Sequence, residues 1–493
     1  MKISIDKSSK VPVYLQIADQ IKAQIISGAL PRSSALPSER ALAQILDVHR
    51  NTVVKAYGEL KSDAWIESRQ GVGYLVASAS TEKEPVGESG EGVQMGRVNW
   101  VNEVADKYLD MEKTFDDLFQ RFTDESHFSL GSGIASREVY SSERVAHDIA
   151  GLLTGSGPSQ YFFSPYKGDR FLRQKLASFL GTKGVRASSG EIQILSETNQ
   201  ALDFIVTLLV KPGDSVVMEE PVHPDMYRVM ELAGARILTV PVDEDGMNCD
   251  VLESLLTQTR PRLIFVNSSF HDPTGCILSL ERRKKLVELS SRYRIPIVEE
   301  DAASELVYDG DKLPPIKAFD TTGNVIYIYS FSLTFIPGLS LAFVTGNRDF
   351  VRALSYLVSV RLMASDWMTQ KLLGMYLDDG SYYSSLATFR EIYSGNRDLV
   401  CQKLDALAHL GVRYKRPRGG VYVWCRLPDG VDSKHFINRA YNMGVTLIPG
   451  HVFYPYKNGG RDYIRINYSY ESRERLACGM DVLHKALEEE LEE

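Results

Sequence analysis

Cysteine is scarce in this chain. The 493 residues include five cysteines, none of them in a Cys-x-x-Cys pair, at positions 249, 276, 401, 425 and 478. This spacing argues against both a disulfide framework and a cysteine-ligated zinc site. We therefore expect a protein of a reducing, cytoplasmic compartment that holds no metal.

Long apolar runs are also missing. No stretch approaches the roughly 18 apolar residues of a membrane-spanning helix, and Met1–Lys7 lacks the apolar core of a signal peptide. We expect no membrane partner. In contrast, contents of 44% hydrophobic and 24% charged residues are ordinary for globular protein. A length of 493 residues predicts two or three domains.

The net charge of −8 is unevenly distributed along the sequence. Residues 1–75 carry ten Lys or Arg against seven Asp or Glu, a balance of +3, so the remaining chain carries −11. A basic N-terminal part on an acidic body is compatible with nucleic-acid binding by the former. Chance variation along a long chain explains the charge equally well, so the motifs have to decide.

The first 77 residues, called the head below, predict three helices followed by a two-stranded ribbon. Apolar residues at helical spacing indicate helices over 12–27, from Ser38 onward and over 49–60. Short strands at 65–69 and 74–77 then flank a glycine-containing turn. The buried positions expected in the second and third helices are Ala41, Leu42, Ile45, Val53, Ala56, Tyr57 and Leu60. This order describes a winged helix-turn-helix, whose third helix enters the major groove of DNA.

Three segments of the head carry a family signature. Leu-Pro-Ser-Glu-Arg at 36–40, Arg-Asn-Thr-Val at 50–53 and Arg-Gln-Gly-Val-Gly at 69–73 resemble the GntR family of bacterial DNA-binding domains. The resemblance implies double-stranded DNA as a partner, and the DNA-binding residues expected are Arg40, Arg50, Asn51, Thr52, Lys55, Arg69, Gly71 and Gly73. The alternative is a small helical domain with solvated arginines. His49 departs from the serine that usually caps the third helix in this family.

The rest of the chain divides into a linker, a connecting helix and a large domain. Residues 78–98 are polar and poor in apolar side chains, which predicts a flexible linker. An amphipathic pattern over 99–126 predicts a helix leading into the domain at 127–493, called the body below. Short apolar runs alternate with helical segments in the body, as in α/β proteins. The runs predicted as buried strands are 215–218, 263–266, 295–298 and 325–328.

The body resembles the fold-type I aminotransferases, enzymes that use pyridoxal phosphate (PLP). The resemblance rests on Tyr166–Arg173, Lys-Pro-Gly-Asp at 211–214, Asp-Pro-Thr-Gly at 272–275 and Arg-Ile-Asn-Tyr at 465–468. A GntR head joined to such a body is similar to the MocR family of transcriptional regulators. It implies an α/β protein with an N-terminal winged helix-turn-helix, a fold-type I aminotransferase-like domain and a homodimer that reads two DNA half-sites.

The residue central to aminotransferase chemistry is absent. The family's Ser-x-Ser-Lys, followed by Pro-Gly-Leu-Arg, reads Ser330-Phe-Ser332-Leu333, followed by Pro-Gly-Leu-Ser340. In the family the Lys forms a Schiff base with PLP and the Arg holds its phosphate. Leucine has no amine, so we expect no covalently bound cofactor and no enzyme activity.

The remaining cofactor contacts of the family change as well. By the resemblance, Glu300 stands for the acid that pairs with the pyridine nitrogen, unless a shift of one residue gives that place to Asp301. Ala302 or Ala303 stands for the tyrosine at the ring hydroxyl. Asp272 replaces the asparagine at the ring oxygen, where a carboxylate is repelled by a phenolate. Each change weakens the fit to PLP.

Further positions belong to this comparison. Glu197 lies in the phosphate loop, where a negative charge opposes a phosphate at a helix N-terminus. The ring-stacking position falls near His223, with Tyr227 as a nearby substitute. Ser330 and Ser332 are retained and can still donate to an anion.

Arg465 is retained from the family, where it binds the substrate carboxylate with both arms of its guanidinium group. Two interpretations are equally open: the pocket still takes a carboxylate, or Arg465 forms an internal ion pair with Asp272 or Glu300. The residues expected to form an effector pocket are His223, Asp272, Glu300, Ser330, Ser332, Leu333 and Arg465.

The sequence thus predicts a DNA-binding regulator whose body is inactive, serves dimerisation and binds a small effector of carboxylate or amino-acid type. Two alternatives remain open. One is a PLP-binding regulator or aminotransferase with an unorthodox cofactor site; binding of PLP without a covalent bond is also left open. The other is a body that acts only as an oligomerisation scaffold.

Overall fold

The computed structural model describes residues 3, 5, 12–26, 29–31, 34–62, 65–69, 73–76, 121, 126–136, 138–155, 165–336, 338–362 and 366–492. The chain divides into two compact units, Met1–Glu112 and Lys113–Glu493. The predicted linker, nearly all of the predicted connecting helix and Gly71 lie outside the described residues.

The first unit contains three helices and a hairpin: α1 (Val13–Ile26), α2 (Glu39–Ile45), α3 (Arg50–Ser62), β1 (Ile66–Arg69) and β2 (Gly73–Val76). Ser38 begins α2, because its hydroxyl accepts the backbone N–H of Ala41 at 3.2 Å. His49 begins α3 in the same way, since its Nδ1 accepts the N–H of Asn51 at 3.2 Å. The departure from serine at position 49 therefore preserves a cap.

The core of the head agrees with the prediction for α3 and differs for α2. Val53, Ala56, Tyr57 and Leu60 are fully buried. In α2 the buried residues are Leu42 and Ala43, whereas the predicted Ala41 is exposed and Ile45 is 70% exposed. The prediction for Ala41 and Ile45 was wrong because the arc of this two-turn helix that faces the core carries Leu42 and Ala43. At about 100° per residue, positions 41 and 45 lie outside that arc.

The second unit is built on an eight-stranded sheet with the order β4-β11-β10-β9-β8-β5-β6-β7. Its strands are β4 (Ile192–Leu195), β5 (Ser215–Glu220), β6 (Arg236–Asp243), β7 (Gly246–Met247), β8 (Ile264–Asn267), β9 (Ile297–Asp301), β10 (Val325–Ser330) and β11 (Ala342–Thr345). The four predicted buried strands are confirmed as β5, β8, β9 and β10. These four pair in parallel, so their carboxyl ends meet at one edge of the sheet.

Both faces of this sheet are covered by helices, which explains why its strands are continuous apolar runs rather than alternating ones. The first six helices of this unit are α4 (Ser142–Gly155), α5 (Arg170–Thr182), α6 (Thr198–Leu209), α7 (Pro224–Leu232), α8 (Cys249–Gln258) and α9 (Leu280–Tyr293). Val216 and Met218 face one core with α6 and α7, and Val217 faces the opposite core with α8 and α9.

A smaller antiparallel sheet, with the order β12-β13-β16-β15, completes the unit. Its strands are β12 (Arg413–Tyr414), β13 (Tyr422–Arg426), β15 (Ile448–Pro449) and β16 (Tyr463–Asn467). A separate parallel pair joins β14 (Val445–Thr446) to β3 (Phe128–Ser129). The remaining helices are α10 (Arg348–Arg361), α11 (Trp367–Asp378), α12 (Ser381–Ala406), α13 (Ser433–Asn442) and α14 (Arg473–Glu492).

A buried lysine holds the end of α5 against β9. The Lys183 side chain is fully buried, and its Nζ lies 2.7 Å from Oε1 of Glu305 and 3.7 Å from Oδ2 of Asp301. It also donates to the hydroxyl of Ser304 at 2.5 Å and lies over the Tyr329 ring. Glu305 also pairs with Lys312 and Arg390, whereas Lys183 is the cation that compensates Asp301 among the described residues.

Replacing Lys183 with Met is expected to destabilise the body by about 3–5 kcal/mol, because Asp301 and Glu305 are left buried without this partner. The matched control is Lys175→Met on the same helix, whose ion pair with Asp378 is solvent-exposed and contributes under about 1 kcal/mol. Urea unfolding of the full chain measures both. Equal losses in the two variants would contradict the role assigned to Lys183.

Candidate functional site

A cavity of about 300 Å³ lies at the carboxyl edge of the parallel strands. Its walls come from the ends of β8 and β9, the start of α6, the start of α7 and the segment after β10. Four carboxyl groups line it, those of Glu197, Asp225, Asp272 and Glu300. No lysine or arginine of the described chain lines it. This position is where open α/β sheets bind ligands.

The structure brings together five of the seven predicted pocket residues on the cavity wall: His223, Asp272, Glu300, Ser332 and Leu333. The other two predicted residues, Ser330 and Arg465, do not line the cavity. Ser330 ends the buried strand β10 and donates its hydroxyl to Oγ of Ser332 at 3.0 Å. Arg465 lies behind Asp272, whose carboxylate accepts hydrogen bonds from the Arg465 guanidinium group.

The Arg465 guanidinium forms an internal ion pair, the second of the two interpretations left open by the sequence. Its Nη1 donates to both carboxylate oxygens of Asp272, at 2.8 and 2.7 Å, and its Nη2 donates to the carbonyl of Gly131 at 2.9 Å. The group lies 4.2 Å from the centre of the Tyr422 ring and its side chain is 3% exposed. Asp272 therefore occupies the side of Arg465 on which a carboxylate ligand would bind.

Glu300 is the acid of β9 that faces the cavity. Its Oε2 accepts from the Asn267 amide, and both residues line the cavity wall. Burial, followed by repulsion from Asp301 and Asp272, raises the pKa of Glu300 to about 8. The carboxyl group is therefore largely protonated at neutral pH.

Asp301 points into the protein on the other side of the strand. It accepts from the Tyr327 hydroxyl at 2.6 Å and from the N–H of Ser304 at 3.0 Å. Although burial acts to raise it, the pKa of Asp301 is held below its usual value by Lys183, Tyr327 and Ser304. The alternative register, with Asp301 facing the pocket, is thus not the one in the structure.

The other positions compared with the family are also placed. Ala302 and Ala303 both line the cavity, and Leu333 is 5% exposed against it. Glu197 precedes α6 at the cavity rim. Tyr227, the proposed substitute for His223, is buried away from the cavity and donates its hydroxyl to the carbonyl of Val452 at 3.0 Å.

A buried acid–histidine pair behind Asn267 was missed by the sequence reasoning. Glu219 ends the buried part of β5 and accepts the N–H of Asn267 at 2.6 Å. Nε2 of His271 lies 3.7 Å from its Oε2. Burial raises the pKa of Glu219 to about 8 and lowers the pKa of His271 to about 4, so both are mainly uncharged at neutral pH. The acidic pair Glu219–Glu220 directly after an apolar run was the available signal.

The predicted DNA-reading residues of the head lie mainly on its surface. Arg40, Asn51 and Lys55 are exposed and Thr52 is partly exposed. Gly73 is exposed and has a φ of 99°, a conformation that favours glycine in the wing turn. The backbone of Arg69 pairs with Gly73 at the end of the hairpin.

Arg50 is the one residue of this set with an ion pair inside the described head. Its Nη2 donates to Oε2 of Glu39 at 2.8 Å while half of its side chain remains exposed. Oε1 of the same Glu39 accepts from the Tyr74 hydroxyl at 3.1 Å. Glu39, which sequence reasoning did not single out, thus connects α2, α3 and β2.

Comparison with known proteins agrees with this architecture. Residues 125–481 match the family Aminotransferase class I and II, and residues 13–76 match the bacterial regulatory proteins of the gntR family. The chain therefore belongs to the class I and II aminotransferase family through its body and carries a GntR-type winged helix-turn-helix as its head. The predicted fold class is confirmed.

Relatives share the whole arrangement. The chain is 27% identical over 477 residues to the uncharacterized HTH-type transcriptional regulator YisV of Bacillus subtilis, covering 96% of each protein. It is 28% identical to the probable rhizopine catabolism regulatory protein MocR of Rhizobium meliloti, covering 90% of this chain and 88% of MocR. The chain is thus a GntR/MocR-type HTH transcriptional regulator with an aminotransferase-like domain.

The body alone resembles solved enzymes. The kynurenine aminotransferase of Pyrococcus horikoshii superposes with a TM-score of 0.75 at 27% identity, covering 80% of this chain and 98% of the enzyme. Within the described residues, no helix has the length and apolarity to cross a membrane. The same residues contain no group of three or more His, Cys, Asp or Glu that could hold a metal ion.

The raised pKa of Glu219 predicts a pH-dependent stability. The folded state retains a proton that the unfolded state releases near pH 4.5, so stability falls as pH rises from about 5 to about 8. In Glu219→Gln this fall should be smaller by a few kcal/mol, on the order given by about 1.4 kcal/mol for each pKa unit. Urea unfolding at pH 5.5, 7.0 and 8.5 measures it.

Glu191→Gln provides a control of opposite sign. The N–H and hydroxyl of Ser188 lower the pKa of Glu191, so its contribution is present above the unfolded pKa and is lost as pH falls. Removing this carboxylate should leave the decline between pH 5.5 and 8.5 unchanged. A Glu219→Gln variant that declined as steeply as the wild type would contradict the pKa assignment.

Proposed function

We propose that this regulator binds operator DNA as a homodimer in the cytoplasm and that its aminotransferase-like body is catalytically inactive. The body serves dimerisation and binds a small effector in the cavity at the edge of its large sheet. The observation that carries the proposal is Leu333, which lines the cavity at the position of the family's Schiff-base lysine.

The cavity wall supports the absence of PLP chemistry at more than one position. Leu333 has no amine to form an imine. Glu300 is hydrogen-bonded to Asn267 beside Asp272, which places two acids where the ring would lie. Glu197 sets a third acid where the family binds the phosphate. These residues do not fit PLP.

The persistence of a cavity supports an effector. About 300 Å³ remains open at the carboxyl edge of the sheet, where open α/β sheets bind ligands, and its lining includes the buried carboxyl group of Glu300. A body that served only as a scaffold has no need of such a pocket. The regulators of this type read paired half-sites with two heads, which supports a homodimer.

Treatment of the purified full chain with PLP and then borohydride is expected to leave no stoichiometric adduct. A Schiff base would be fixed permanently by the reduction, whereas Leu333 offers no amine. Mass spectrometry of tryptic peptides measures the label, with a PLP-dependent aminotransferase treated in parallel. One label per chain on a single peptide of the body, together with a visible absorption band, would refute an inactive body.

Arg50→Ala is expected to weaken binding to a duplex from the region upstream of this gene and to reduce the slope of log affinity against log salt by about one. Arg50 lies in the first turn of α3, at the end that enters the major groove. Lys61→Ala, in the last turn of the same helix, is the charge-matched control and should leave binding near the wild-type level. Fluorescence anisotropy titrations at several salt concentrations distinguish them; equal losses would contradict the assigned reading end.

A further inference from the structure

We propose that the effector of the cavity is an organic amine, a cation with an apolar body and no carboxylate group. The inference rests on the proposed function, because it assumes that the cavity is free of PLP. The sequence-based expectation was an effector of carboxylate or amino-acid type. The amine proposed here is a cation instead.

The charges on the wall favour a cation. Of the four lining carboxyl groups, Asp272 is neutralised by Arg465 from behind, and Asp225 lies 3.9 Å from Nη1 of Arg228. Glu197 has no ion pair among the described residues, and Glu300, which is largely protonated in the free protein, ionises when a cationic ligand lies beside it. With no lysine or arginine on the wall, the uncompensated charge available to a ligand is negative.

The hydrogen bonds of the wall point to a donor-rich ligand as a second, independent observation. Glu300 is 7% exposed and, among the described residues, the Asn267 amide on Oε2 is its hydrogen-bond partner. Its Oε1 therefore remains open to a ligand. The Oδ1 atom of Asn267 is buried and has no partner. A buried acceptor without a donor is costly, and an ammonium group carries up to three donors and no acceptor.

The same wall disfavours a carboxylate ligand. The guanidinium group that would bind it is engaged by both oxygens of Asp272. Glu197 stands immediately before α6, whose N-terminus would otherwise attract an anion. An amino acid therefore gains from its ammonium group and loses from its carboxylate, so an amine should bind better than the corresponding amino acid.

The other wall of the cavity is apolar. Its side chains are those of Val222, Met226, Phe265, Phe270 and Leu333. Leu333 thus adds apolar surface where the family has a charged lysine. A ligand with an aryl or alkyl body places that body against this wall and its ammonium group toward Glu300, and about 300 Å³ limits it to a small molecule.

The test is calorimetric titration of the full chain at pH 7.5 with three compounds that share one aromatic ring: phenethylamine, phenylalanine and 3-phenylpropionate. Hexylamine provides an alkyl body. We expect at least one of the two amines to bind, with phenylalanine and 3-phenylpropionate weaker by about tenfold or more, as a charge-assisted hydrogen bond implies. Binding of 3-phenylpropionate as tight as that of the amines would overturn the proposal, as would no binding of either amine.

Glu300→Gln assigns the site. Glutamine keeps the shape of the side chain but cannot ionise beside an ammonium group, so the variant should bind the amine about tenfold or more weakly, which is the effect of losing a charged acceptor in the complex. The control is Glu231→Gln on α7, a partly buried carboxyl that does not line the cavity and should leave affinity unchanged. Equal affinity in wild type and Glu300→Gln would overturn the proposal.

The outcome is distinguishable from failure of the proposed function. If neither amine binds and PLP leaves no adduct after borohydride, the amine proposal is wrong while the inactive body stands. If PLP becomes fixed to the body, the proposed function itself is wrong, whatever the amines do.

Discussion

The body depends on the ion pair between Arg465 and Asp272. Arg465 belongs to the small antiparallel sheet and Asp272 to the loop that follows β8 of the large sheet, so the pair joins the two behind the cavity wall. A buried arginine is tolerated only with such compensation; the stacked Tyr422 ring and the Gly131 carbonyl add to it, while Nε has no hydrogen-bond partner among the described residues. Because the pair uses both carboxylate oxygens, it also fixes the charge that the cavity presents to a ligand.

From this pair follows the character of the whole pocket. Parallel strands bring polar residues to one edge of a sheet, and here those residues are largely acids: Glu219, Glu300 and Asp301 at strand ends, with Asp272 nearby. The burial of these acids is compensated in two ways. Asp301 is charged and compensated by Lys183, Asp272 by Arg465, whereas Glu219 and Glu300 are largely protonated at neutral pH. The described wall of the cavity thus carries acids and no lysine or arginine.

Much of the fold was predictable from local patterns. Continuous apolar runs located β5, β8, β9 and β10, because strands buried on both faces leave that mark in a sequence. The position of Leu333 on the cavity wall followed from a motif. Other features depend on contacts between distant segments: neither the choice of Asp272 by Arg465 nor the pairing of Glu219 with His271 is visible in local spacing. Ile45 shows the same limit on a small scale, since a two-turn helix does not reveal which arc faces its neighbours.

If Arg50 contacts DNA as we propose, the bridge formed by Glu39 in the head has a consequence for discrimination among DNA sequences. Its carboxylate holds Arg50 and, through its other oxygen, Tyr74 of the wing strand. Any phosphate that recruits Arg50 must displace an internal anion that is already bound, so generic attraction to the DNA backbone is weakened. Only a site whose groove and wing contacts together outcompete Glu39 gains the full benefit of Arg50. An acid on the reading surface thus acts as a built-in competitor that favours selectivity over affinity.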